Sequence, residues 1–227
     1  MNAIIRIMNI SRFLRNFRYH YKKYLAMFFA LIAMTFTLGD LVVSLCSMFQ
    51  NTHAISFNTI WDIFIYLILI YIFFSIFRGN KDSSVESLRG ALMFTWFVVI
   101  NQIFSLIYGI VFNTALGLNG YWANADYLSF SFLLIDYFIL GIEIAVGIMA
   151  YISLRQYTSG RDVSSRKVKI LFALFFSMVI LGFAPQIYFF IRSISYSNVW
   201  SILIFLFSFY ELFGSIACIL TVLRLPR

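Results

Sequence analysis

Apolar residues run along this chain in six long stretches, residues 24 to 49, 60 to 77, 91 to 113, 127 to 154, 170 to 191 and 199 to 223. Each approaches or exceeds the roughly 20 residues that a helix needs to cross a hydrocarbon core at about 1.5 Å per residue. The third and fifth are the cleanest, with no charge from 91 to 112 or from 170 to 191, whereas the second is short and carries Asp62 near its start. The pattern predicts an all-α fold, a polytopic transmembrane bundle of six spans. Residues 1 to 23 follow a different rhythm. Ile10, Phe13, Leu14, Phe17 and Tyr21 recur at helical spacing while Arg12, Arg15, Arg18 and Lys22 fill the other face, which predicts a basic amphipathic helix lying on the membrane surface and bending into span one. Residues 224 to 227 are left as a short tail.

Composition agrees with this division. With 62% hydrophobic and 11% charged residues, the chain falls outside the soluble globular class and far from disorder. Two Cys and two Pro exclude a disulfide scaffold and a collagen-like chain. A net charge of +8 would suit nucleic acid, but the positions of the basic residues argue otherwise. Of the 17, all but Arg192 fall on alternate segments, residues 1 to 23, 78 to 90, 155 to 169 and 224 to 227. The positive-inside rule then places both termini in the cytoplasm and predicts a multi-pass protein of the plasma membrane, with an anionic inner leaflet as its basic partner and no nucleic acid. Trp61, Tyr121, Trp122, Tyr196 and Trp200 fall near the opposite ends of the spans, where amphipathic rings favour the headgroup layer. The first apolar stretch is too long for a signal-peptide core, so it is expected to remain as a span. The loops at 78 to 90 and 155 to 169 are too short to be domains, and the first reads as one amphipathic turn or docking element.

Candidate chemistry sits in polar residues inside the spans, because an ionisable group there is costly and rarely faces lipid. The candidates for a polar pathway are Asp40, Asn101, Gln102, Asp136, Glu143, Gln186 and Glu211. Counting inward from the span ends puts Asp136, Glu211, Asn101 and Gln102 roughly 14 to 18 Å deep, near the midplane. Asp40 lies toward the outer side and Glu143 toward the inner. Small and polar residues share faces with them: Ala33, Thr37, Asp40, Ser44 and Ser47 in span one, Asp136, Glu143 and Gly147 in span four, and Ser208, Glu211, Ser215 and Cys218 in span six. Gly182, Pro185 and Gln186 mark span five, where Pro185 predicts a break near Leu181. Span two has no such stripe and is expected at the periphery. Gly141 with Ala145, or Gly214 with Cys218, would suit a seam between two copies.

No Lys or Arg lies at midplane beside these acids. They therefore act either as protonated hydrogen-bond donors between helices or as the lining of a hydrated cavity that admits protons or cations. Four acids at graded depth favour the second. His20 and His53 fall on opposite sides of the membrane, Cys46 and Cys218 lie at different depths, and no HExxH, GxSxG, P-loop or dinucleotide fingerprint is present, so no metal site, cofactor or enzymatic activity is expected. The leading expectation is a small transport protein for a cation, a cationic compound or a proton-coupled solute. The second is a membrane subunit of a larger assembly, since a surface helix, six spans and a short cytoplasmic loop are also the outline of an ATP-driven exporter permease. No residue motif supports that outline. The third is a non-transporting interaction, immunity or sensory protein, alone or as a homo-oligomer.

Overall fold

The structure, a computed structural model, describes residues 2–50, 57–82, 84–116, 127–182 and 205–225, with positions 184, 187, 191 and 202 between the last two stretches. Among the described residues the chain is helical and contains no strand. In order the helices are α1 (Asn2–Gln50), α2 (Phe57–Asp82), α3 (Ser84–Leu116), α4 (Tyr127–Thr158), α5 (Ser165–Leu181) and α6 (Tyr210–Val222), the last preceded by helical positions 205–207 and a turn at Ser208 and Phe209. Five segments among the described residues are long and apolar enough to cross a membrane: His20–Cys46, Ile60–Asp82, Glu86–Ile107, Tyr137–Thr158 and Phe205–Val222. The chain is an integral membrane protein. The expected fifth span is represented by α5, 17 residues long, which ends at Leu181, one helical turn before Pro185. Pro185 itself and most of the remainder of that span lie outside the described residues.

Two expectations change in the basic segments that flank the spans. No interruption separates the basic N-terminal stretch from span one, because α1 is one helix of 49 residues, about 74 Å long by its rise. The expected bend into a separate surface helix is absent. The reason is local: between residues 2 and 38 there is no Gly and no Pro to break the hydrogen-bond ladder. The loop expected at 78 to 90 is also largely helix, since α2 runs to Asp82 and α3 begins at Ser84. The two helices fold back on each other at two glycines. A Cβ on Gly79 would lie 2.3 Å from the backbone nitrogen of Ser87, and one on Gly90 would lie 2.8 Å from that of Ile76. Lys23 Nζ donates to Lys81 O at 3.0 Å, placing a cation on the carbonyl end of α2.

The chain divides into two units, residues 1–94 with 179–227, and residues 95–178. In the first, α1 packs along both α2 and α6. Its buried stripe is Ala26, Ala30, Ala33, Thr37 and Asp40, small residues at helical spacing that let a neighbour approach closely. Phe29 and Phe36 of α1 meet Phe213 of α6 with ring centroids 5.9 and 5.3 Å apart. Within this unit α2 packs inward through Leu69, Ile72, Phe73 and Ile76, each at 2% exposure or less, while Ile60, Phe64, Leu67, Tyr71 and Phe74 on its other faces are exposed. Its inward face is apolar, so a search for small or polar stripes passes over it. Gly214 faces inward too, since a Cβ there would lie 2.5 Å from the Phe73 ring. Gly214 and Cys218 are buried within the unit, so the seam between copies expected there is a contact within one chain. In the second unit Val98 and Val99 of α3, Val146, Ala150 and Leu154 of α4, and Phe172, Phe175 and Phe176 of α5 form the core. Ser164 caps α5 through Lys167 N, and α4 ends in a turn with Gly160 at φ +73°.

Candidate functional site

In the first unit three carboxylates from three helical segments gather around two tyrosines. Asp40 projects from the small-residue stripe of α1 and is buried at 5% exposure. Asp62, in the first turns of α2, is near enough to Asp40 for the two to repel each other. Tyr66, one turn further along α2, lies within electrostatic reach of Asp40, Asp62 and Glu211 and shares a side-chain hydrogen bond with Ser44 of α1. Tyr210, at the start of α6, reaches the same three acids and shares a side-chain hydrogen bond with its neighbour Glu211. The two tyrosine rings meet edge to face at 6.1 Å. Each of the three acids lies within electrostatic reach of both phenols. Among the described residues no three His, Cys, Asp or Glu side chains come close enough to hold a metal ion.

No Lys or Arg occurs in the stretches that carry these acids. Residues 24 to 77 and 193 to 223 contain neither Lys nor Arg. The group is therefore a concentration of hydroxyls and carboxylates, suited chemically to a proton or a cation and unsuited to an anion. Compared with known protein families, curated proteins and solved structures, the chain matches none. The site has to be read from its own chemistry.

Glu143 belongs to a different group, in the second unit. Gln102 of α3 donates through Nε2 to Glu143 Oε2 of α4 at 3.0 Å, and its own Oε1 is buried without a hydrogen-bond partner. Asn101 is half-buried beside it. Gln102, placed by the sequence at the depth of Asp136 and Glu211, thus serves Glu143. Among the described residues the candidates fall into two local groups, Asp40 with Glu211 in the first unit and Gln102 with Glu143 in the second. The side chain of Asp136 and all of Gln186 lie outside the described residues.

Sequence reasoning missed Asp62, Tyr66 and Tyr210 as members of the site. The signal was present but local: Asp62 and Tyr66 are four apart on one helical face, and Tyr210 directly precedes Glu211. It also missed a polar network in the first unit, where the C-terminal ends of α2 and α6 meet. Asn80 of α2, 1% exposed, donates through Nδ2 to Thr221 Oγ1 and to Ile76 O, both at 2.9 Å. Its Oδ1 accepts a hydrogen bond from the Arg224 guanidinium. The last turn of α6 is thereby tied to the last turn of α2.

Proposed function

We propose that this chain is a small membrane transport protein that takes up a cation, a cationic compound or a proton coupled to a solute through Asp40, Asp62 and Glu211. The observation that carries the reading is the gathering of three acids from three helices within reach of Tyr66 and Tyr210, in stretches with neither Lys nor Arg. A purely structural acid is well served by a single hydrogen-bond donor on a neighbouring helix, as Glu143 is by Gln102. Here Asp40 and Asp62 repel each other, and each of the three acids acts on both phenols, an arrangement eased when positive charge reaches it. The reading involves no bond-making chemistry and no resident cofactor.

The purified chain reconstituted in vesicles, loaded with a pH- or cation-sensitive dye and exposed to an imposed gradient, tests it. Flux above that of empty vesicles is expected for the wild type and for Asp162→Asn, a change at an exposed loop residue. Asp40→Asn and Glu211→Gln, which keep volume while removing charge, are expected to reduce flux to the empty-vesicle level. Equal flux in all four, or none in any, transfers the reading to a protein that works by helix contacts.

In the same reading α5 and the residues after it complete a sixth span, and both termini are cytoplasmic. The alternation of basic residues supports this, because five spans would leave the two basic termini on opposite sides. With Cys46 and Cys218 replaced, a cysteine at position 53 is expected to react with an impermeant thiol reagent added outside intact cells, and one at position 160 to be protected. Labelling at 160 overturns the orientation.

A further inference from the structure

Ser215 is fully buried in α6, at 0% exposure, and its hydroxyl has no hydrogen-bond partner. This is unusual chemically, because a helical Ser or Thr in an apolar setting ordinarily donates to the carbonyl one turn back. Two other buried hydroxyls in the same unit do so: Thr37 Oγ1 donates to Ala33 O and Thr221 Oγ1 to Ala217 O, each at 2.8 Å. Ser215 departs from that pattern at one particular place, one helical turn inward from Glu211 and on the same face. Just outward of Glu211 the helix is itself irregular, with a turn at Ser208 and Phe209 where Phe209 N bonds back only three residues, to Leu206 O, and the Ser208 hydroxyl bonds to Phe205 O. Interrupted helices at membrane depth are where transporters place their ion sites.

We propose that the Ser215 hydroxyl and the Glu211 carboxylate are ligands of a small, hard monovalent cation of sodium size. This rests on reading the acid group as a cation site and names both the ion class and the position it occupies. Oxygen donors, one charged and one neutral, suit a hard cation. A divalent ion is disfavoured by the spread of the acids, no three of which converge among the described residues. A fully buried position also requires the ion to shed water, which magnesium does reluctantly. A single negative charge from Glu211 balances a monovalent ion, and the hydroxyl, which has no helical carbonyl to serve, supplies a neutral oxygen in place of lost water.

The test is thermal unfolding of the purified full-length chain in lipid nanodiscs, in sodium chloride and in choline chloride at equal ionic strength. Sodium is expected to raise the unfolding temperature of the wild type, because a ligand bound only to the folded state stabilises it. Ser215→Ala is expected to unfold in choline at or above the wild-type temperature, since deleting an unpartnered hydroxyl relieves a penalty. Its apparent sodium affinity should fall roughly tenfold or more, the usual scale for losing a polar contact to a charge. Ser215→Cys keeps a side chain in the space while replacing a hard oxygen by soft sulfur, and should lose the same affinity. Glu211→Gln should abolish the sodium effect. Retention of the full effect by both Ser215 variants overturns this proposal, and leaves the acid reading intact if Glu211→Gln has lost it. Absence of a sodium effect in the wild type also overturns it, with the vesicle flux assay then judging the acids separately. Retention by Glu211→Gln as well overturns both.

Discussion

Replacing Gly79 by valine is expected to abolish recovery of folded protein, measured as the monodisperse fraction after detergent extraction. The α2–α3 hairpin brings backbone against backbone: a Cβ at Gly79 would lie 2.3 Å from Ser87 N, 2.5 Å from Glu86 C and 2.6 Å from Ser87 Cα. These are main-chain atoms in the first turns of α3, which cannot rotate aside as a side chain does. Relief requires the two helices to separate at the point where Ile76 also presses on Gly90. Overpacking a well-filled site costs about 1–3 kcal/mol, and a clash with backbone belongs at or beyond the upper end. Gly141→Ala provides the contrast, because a Cβ at Gly141 meets nothing within 4 Å. Alanine there is expected to leave stability unchanged or raise it by about 0.5–1 kcal/mol, since Ala is the better helix former.

Asn80→Leu is expected to destabilise the chain by about 3 kcal/mol, read as a lowered unfolding temperature or denaturant midpoint. Asn80 is buried and uses both ends of its amide. Nδ2 donates to Thr221 Oγ1 and Ile76 O, and Oδ1 accepts from the Arg224 guanidinium. Leucine is of similar size but withdraws a donor from Thr221 and an acceptor from a half-buried cation, the more expensive of the two losses. Thr221→Val removes one bond of the same network and should cost about 1 kcal/mol. Because Asn80 and Thr221 bond directly to each other, the double variant should cost less than the sum of the two singles. Full additivity would show that the contacts do not act as a network.

Much of the fold was legible in the sequence for a physical reason. Lipid leaves a chain few ways to satisfy its backbone, so long apolar stretches become helices, and the count and sidedness of basic residues constrain how they are threaded. The small-residue stripe of α1 was equally legible, and Ala33, Thr37 and Asp40 are buried as its spacing requires. The limits of the helices were less so. Polar residues at 78 to 90 read as a loop, yet they continue as helix because Gly79 and Gly90 allow the two backbones to close on each other.

The site divides along the same line. That acids inside the spans would be the chemistry of this protein follows from residue type and depth, which are properties of one helix at a time. Which acids meet is a property of pairs of helices, and in a membrane hydropathy does not report it, because lipid-facing and partner-facing surfaces are both apolar. Asp62 and Tyr66 sit on a helix whose inward face is Leu69, Ile72, Phe73 and Ile76, with nothing polar or small to mark it. Arg224, counted in the sequence only as a cytoplasmic charge, is a hydrogen-bond donor to buried Asn80. The sequence by itself determined an all-helical membrane chain with acids and no bases at its centre. Only the packing of α1 against α2 and α6 decided that Asp40, Asp62 and Glu211 lie within electrostatic reach of two tyrosines, and only the approach of α3 to α4 decided that Glu143 pairs with Gln102, because such choices are made by close approach at small residues and by interlocking aromatic rings, not by hydrophobicity.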